Sequence, residues 1–168
     1  MKAFAIKNAG LVLLNTYIEM LLERLHLTSN KQFSSTENQN NAVHYLQYIA
    51  TGIANTDEMH LALNKVLCGL PLTQTIPNSI TITEEDRQLI DGLIKAAVSH
   101  WPSLGESSID GFRGNWLIRD GWLSEFEDRW ELTVEKRPYD LLLQKSPFSF
   151  SIIKHQWMEK PLHVTWPY

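Results

Sequence analysis

The residue types that most often do chemistry in proteins occur in this sequence, but they are not spaced as a site. None of the six histidines forms an HExxH pair or lies beside a second histidine or cysteine at a zinc-ligand spacing. They are His26, His44, His60, His100, His155 and His163. The sequence therefore indicates no metal site.

A second candidate is the acidic group of Glu125, Glu127 and Asp128. Carboxylates this close in sequence can hold a cation, but the group lacks the glycine of a calcium loop, and a solvated turn is the simpler interpretation. The motifs GxGxxG, GxSxG and the P-loop are also absent. We therefore expect a non-enzymatic protein without cofactors. The one enzymatic hypothesis left is a site assembled in the fold from scattered residues such as His100, Glu127 and Asp140.

Composition limits the class of protein further. A chain of 168 residues with 43% hydrophobic content is the size of one globular domain. The net charge of -4, with both signs interspersed, excludes a nucleic-acid or anionic-membrane partner. The single cysteine, Cys68, excludes an intrachain disulfide and favours a reducing compartment. The first apolar run, 11–14, is too short to span a membrane, and no small-residue cleavage site follows it, so we expect a soluble protein.

Helical patterns dominate the first two thirds of the chain. The clearest helix start is Thr83, a capping residue followed by the three acidic residues 84–86. A short extended lead-in is expected near residues 4–6, a polar loop at 28–40 and an extended segment at 70–82. Helices are expected at residues 11–25, 41–51, 57–68, 84–101 and 108–121.

After residue 121 the period of the pattern changes. Alternating apolar and polar residues predict strands at 130–134 and 148–152, with a third at 162–166 and a helical turn starting at Pro138. The predicted fold is mainly α (α+β), a helical bundle with a small antiparallel β-sheet near the C-terminus. We expect residues 1–168 to form a single domain, with a mostly helical part at 1–121 and an aromatic-rich part with short antiparallel strands at 122–168.

The aromatic residues of the C-terminal segment are the remaining candidates for function. Three of the six tryptophans, Trp101, Trp116 and Trp130, lie in apolar stripes and are expected in the core. Trp157 and Trp166 lie in polar or irregular sequence, where a tryptophan is a candidate interface anchor. The predicted protein-interface residues are Trp157, Met158, His163 and Trp166. The edge of the C-terminal sheet is a further place for a partner strand.

Four segments, taken together and in order, resemble the C-terminal region of tape measure proteins of bacterial contractile injection systems, which are phage-tail-like particles. The segments are 8–14 (NAGLVLL), 63–71 (LNKVLCGLP), 83–102 (from TEE to HWP) and 151–166 (SIIK, WM and PLHVTW). The resemblance implies a structural protein that helps to set tube and sheath length during assembly in the cytoplasm. It also implies protein partners in the particle, such as the tube, hub, baseplate or cap.

Members of this family are typically much longer than 168 residues, so we expect this chain to correspond to a fragment or to a short relative. Even one uninterrupted helix of this length would reach only about 250 Å, and a compact domain of this size has a radius of gyration of about 15 Å. The chain is therefore expected to be the folded end of a ruler and not the ruler itself. The alternative is a free-standing adaptor or chaperone that binds a particle component or an effector.

Overall fold

The computed structural model describes residues 2–168. Seven strands are present, β1 (Lys2–Ile6), β2 (Thr28–Ser29), β3 (Gln32–Phe33), β4 (Gly121–Glu125), β5 (Trp130–Val134), β6 (Ile152–Ile153) and β7 (Leu162–Thr165). The α-helices are α1 (Asn15–Arg24), α2 (Thr36–Thr51), α3 (Ala62–Leu67), α4 (Glu84–Ser99) and α5 (Ile109–Phe112). Four 3₁₀ segments (Ala9–Leu14, Glu58–His60, Pro102–Leu104 and Pro138–Lys145) and a π-helical turn (Arg113–Leu117) complete the helical elements.

Helix α4 forms as its sequence pattern predicts. The hydroxyl of Thr83 accepts a hydrogen bond from the backbone N–H of Asp86 at 3.0 Å, which satisfies one of the free donors of the first turn. The apolar stripe of the helix, including Ile90, Leu93 and Ile94, is buried. Cap and stripe agree here, and the start of the helix is confirmed.

Helix α2 is longer than predicted. Its first turns consist of polar residues, which were interpreted as part of a loop. The helix begins at Thr36, within the segment expected to be a loop, and the hydroxyl of Ser35 caps it by accepting the N–H of Asn38 at 3.0 Å. The predicted end of this helix at residue 51 is confirmed, because the next residue, Gly52, has a left-handed φ of 75° and ends the helix. The rest of the expected loop contains the hairpin of β2 and β3.

The prediction of a helical bundle with an antiparallel sheet near the C-terminus is wrong. The fold is α+β, with 46% of residues helical, 15% in strands and a five-stranded mixed sheet in the order β1-β4-β5-β7-β6. The pair β5 and β7 is parallel, because the segment between them crosses over and returns to the same end of the sheet. The N-terminal lead-in is an edge strand, β1, that pairs with β4. Strand pairs this distant in sequence leave no local pattern, which is the physical reason for the error.

Two further strands differ from their predictions. The helix predicted to end at residue 121 ends with the π-helical turn at Leu117, and after three residues (118–120) strand β4 begins at Gly121, where no strand was predicted. The strand predicted at 148–152 is reduced to Ile152–Ile153. The strands predicted at 130–134 and 162–166 are present as β5 and β7.

The core lies between one face of the sheet and the helices. The 3₁₀ segment Ala9–Leu14 is buried along its whole length and contacts β5, α1 and α2. Gly10 allows this because a Cβ atom there would lie 1.6 Å from the carbonyl oxygen of Trp116. The first apolar run, 11–14, is thus part of a fully buried 3₁₀ segment, and the helix predicted at 11–25 begins as an α-helix only at Asn15. Trp101, Trp116 and Trp130 are buried, as predicted.

Candidate protein-interaction surfaces

The sheet has one face against the core and one face open to solvent. On the open face, strand register aligns side chains into two rows that run across neighbouring strands. The first row is Ala3, Ser124, Glu131, His163 and Ile152, and the second is Ala5, Trp122, Thr133 and Thr165. We call these two rows the outer sheet face. Trp122 is 52% exposed and Ile152 is 61% exposed.

Of the predicted interface residues, His163 is the one that lies on the outer sheet face. It is half-buried between Glu131 of β5 and Ile152 of β6. Trp122 was not among the predicted residues, although it is the most exposed of the six tryptophans. No local signal in the sequence marks this exposure, because the alternation of exposed Trp122, buried Leu123 and half-buried Ser124 is visible only in the folded strand.

Trp166 lies in the core beside a buried ion pair. A guanidinium N–H of Arg119 donates to Asp140 Oδ2 at 2.6 Å, and both side chains have no exposed surface. The indole N–H of Trp166 donates to the same oxygen at 2.9 Å, and Trp166 is 5% exposed. The guanidinium carbon of Arg119 lies 5.1 Å from the Trp166 ring centroid. The Trp166 side chain therefore anchors the residues after β7 to the core.

The charge state of Asp140 follows from these contacts. Burial alone would raise the pKa of Asp140, because the ionised carboxylate loses its hydration. Hydrogen bonds from Arg119, from Trp166 and from the backbone N–H of Arg137 outweigh this effect and hold the pKa below its usual value. The carboxylate is ionised at neutral pH and balances the guanidinium.

Trp157 and Met158 lie at the contact between the C-terminal segment and the end of α3. The indole N–H of Trp157 donates to the carbonyl of Leu67 at 2.8 Å, and the half-buried ring packs on Phe33. Met158 is 4% exposed. Gly69 permits the approach, since a Cβ atom there would lie 2.2 Å from the Trp157 carbonyl oxygen.

His155 links the same segment to α1. Its Nδ1 lies 2.9 Å from a carboxylate oxygen of Glu19, and its ring stacks on Trp157 with centroids 5.0 Å apart. Burial lowers the pKa of His155, and the neighbouring Glu19 carboxylate opposes that shift only in part. The ring is therefore neutral at pH 7.

The scattered residues of the enzymatic hypothesis do not form one site. His100 Nδ1 lies 2.8 Å from the hydroxyl of Tyr17, Asp140 binds Arg119, and Glu127 lies in the exposed turn between β4 and β5. Within residues 2–168, no hydrogen bond joins any two of the three.

The single cysteine, Cys68, is a free thiol in the core. Burial raises the pKa of the Cys68 thiol, which disfavours the reactive thiolate. The described part of the chain contains no cluster of three or more histidine, cysteine or acidic side chains that could hold a metal ion.

Buried polar contacts join the segments that carry the family resemblance. The side-chain N–H of Asn8 donates to Asn64 at 2.7 Å and to Gln47 at 2.8 Å, and all three amides are buried. This amide cluster links the first resembling segment to the second. The Trp157–Leu67 hydrogen bond links the second to the last. The resembling residues are therefore concentrated where distant parts of the fold meet.

The family model of contractile injection system tape measure proteins matches residues 1–166. No curated protein and no solved structure is significantly similar to the chain. Within residues 2–168, no helix combines the length and the apolar composition required to cross a lipid bilayer.

Proposed function

Because this chain belongs to the contractile injection system tape measure protein family, we propose that it is a non-enzymatic structural component of such a particle and helps to set the length of its tube and sheath. The observation that carries the proposal is the extent of the family match, residues 1–166 of 168. The separate partners of His100 and Asp140, and the exposed position of Glu127, also favour a structural role over catalysis.

The compact fold supports a role as an anchor. The longest helices, α2 and α4, have 16 residues each and are about 24 Å long at roughly 1.5 Å per residue. An element that measures length must be elongated, so the measuring function belongs to elongated segments of the tape measure. This folded unit would hold such a segment to another component during assembly in the cytoplasm.

The outer sheet face is the surface that we propose for docking to a protein of the particle, such as a tube, hub, baseplate or cap subunit. It presents small, hydroxyl-bearing and charged or polar side chains between the exposed apolar residues Trp122 and Ile152, and exposed apolar residues among polar ones can mark an interaction site. A large exposed aromatic ring near the centre of such a surface is a frequent binding hot spot. His163, predicted from the sequence, contributes to the same surface.

Trp166 is not a suitable position for a docking test, because its side chain is buried. Alanine at this position would remove a core hydrogen bond, so a loss of binding would not separate docking from unfolding. The informative variant is W122T/I152T, which keeps β-forming residues on exposed strand positions. The matched control is I53T/M59S, which removes two apolar side chains that are 50% and 78% exposed elsewhere.

The measurement is a pull-down from cells that make the complete particle, with mass spectrometry to identify bound proteins. We expect the wild type and I53T/M59S to recover a tube, hub, baseplate or cap protein and W122T/I152T to lose it. Equal recovery by both variants would count against docking through this face. Recovery of particle proteins before assembly, but absence from finished particles, would favour the adaptor or chaperone alternative.

A further inference from the structure

A cleft of about 620 Å³ lies beside β1, at one end of the core-facing side of the sheet. Side chains from β1, β4 and β5 line it together with the loop after α3 and the segment before β7. Strand register places Lys2, Glu125 and Trp130 in one row across its base. The helices that cover the rest of this side of the sheet leave this end open.

Part of the interior of the cleft is apolar. Four side chains that contribute to its wall and base are less than one tenth exposed, yet each borders the open space. They are Val66, Leu70, Trp130 and Met158. An aliphatic side chain that contacts these residues would lose water from the contacting surface, which is favourable. Met158, a predicted interface residue, lines the cleft from within the core.

Three carboxylates (Glu125, Glu127 and Glu159) and two ammonium groups (Lys2 and Lys160) line the cleft, so its charged groups are net negative. Lys160 reaches over the base, where its Nζ lies 3.2 Å from Glu125 Oε2, 2.7 Å from the Phe126 carbonyl and 5.3 Å from the Trp130 ring centroid. One ammonium group is thus already held by a carboxylate and an aromatic ring. Glu127 and Glu159 are exposed on the same rim, and neither forms an ion pair with another residue in the range 2–168.

The neighbouring strand favours a polypeptide over a small molecule as the occupant. Strand β1 is the edge of the sheet and has a hydrogen-bonded neighbour, β4, on one side only. An edge strand offers backbone N–H and C=O groups to an extended segment. Lys2 and Phe4 of this strand line the cleft, so an extended segment beside β1 would direct alternate side chains into it.

We propose that this cleft binds an extended segment of a partner protein in which an aliphatic residue adjoins a lysine or arginine. The aliphatic side chain enters the cleft beside Phe4, Val66 and Leu70, and the basic side chain pairs with Glu127 and Glu159. The inference does not depend on the outer sheet face, and it holds equally for an assembly anchor and for an adaptor.

The test uses the full chain labelled with ¹⁵N and a short acetylated and amidated peptide, Gly-Leu-Lys-Gly, as the probe in an NMR titration. The comparison peptide is Gly-Leu-Glu-Gly. We expect the lysine peptide to shift the amide signals of Phe4, Leu70 and Thr73 and to bind more tightly than the glutamate peptide. The preference should weaken at about 1 M salt, where the screening length falls to about 3 Å.

Two charge variants sharpen the test. E127Q/E159Q should lower the affinity for the lysine peptide roughly fivefold, as expected for the loss of two exposed ion pairs. E85Q/E106Q makes the same change in net charge at exposed residues outside the cleft and should leave the affinity unchanged. Equal binding of both peptides, equal effects of both variants, or shifts confined to the outer sheet face would each overturn the proposal.

Discussion

Replacing Asp140 with alanine tests the role of the buried ion pair most directly. The variant leaves the Arg119 guanidinium without a counter-charge in a site that has no exposed surface, and it removes the acceptor of the Trp166 indole. Removing one partner of a buried pair typically costs about 3–5 kcal/mol. Solvent does not screen this pair, so the full range applies. A loss of this size is a large part of the 5–15 kcal/mol that stabilises a typical domain.

The assay is urea unfolding at pH 7 followed by tryptophan fluorescence, together with the thermal midpoint. For a domain of this length each kcal/mol lowers Tm by about 2–4 °C, so we expect D140A to lower it by about 6–20 °C. D91A is the matched control, because Asp91 pairs with Arg87 at 3.2 Å on the exposed surface of α4 and should cost about 0.5 kcal/mol.

A compensating double variant separates the charge effect from packing. R119M/D140L removes both charges, and replacing a buried pair by apolar residues is often neutral. We expect it to regain most of the stability lost in D140A. A loss below about 1 kcal/mol in D140A, or an equal loss in D140A and the double variant, would refute the reasoning that an uncompensated guanidinium is responsible.

Three further outcomes can be measured on the same protein. G69A should lower the unfolding free energy by about 2–4 kcal/mol, because the new methyl group would meet the Trp157 carbonyl at a residue with φ of 74°. The control G105A has a similar φ of 69° but open space around the new methyl group, and it should cost about 1 kcal/mol. Equal losses of the two variants in urea unfolding would contradict the steric explanation. The lowered pKa of His155 implies that the stability of the fold falls as the pH drops below about 6.5, because the unfolded chain takes up the proton first. The H155Q variant should therefore lose less stability between pH 7.5 and 5.5 than the wild type. Identical pH profiles of the two proteins would exclude His155 as the cause. Cys68 should react with a chromogenic disulfide reagent only at the rate of unfolding, and rapid labelling of the native protein would show that it is accessible.

Part of the fold could be predicted because its determinants are local. The start of α4 depends on Thr83 and the acidic residues after it, all within one turn. The strand at Trp130–Val134 shows its buried and exposed sides in its own alternation. The beginning of α2 could not be predicted in this way, because Ser35 caps a first turn made of polar residues that also suit a loop.

The candidate surfaces depended much more on the tertiary structure. Trp166 and Trp122 are both tryptophans near polar residues, yet Trp166 donates to buried Asp140 while Trp122 faces solvent. Which of them is available to a partner depends on strand register and on a hydrogen bond to a residue 26 positions away. Neither has a local signature.

By itself the sequence determined the class of this protein. The four family-like segments indicated the tape measure family of contractile injection systems, and the family match confirms it. Only the tertiary structure decided that the first strand joins the last ones in a mixed sheet, that one face of this sheet stays open, and that a cleft remains beside its edge. The physical reason is range: caps and alternation act within a few residues, whereas strand pairing and burial depend on contacts between residues more than a hundred positions apart, such as Phe4 and Leu123.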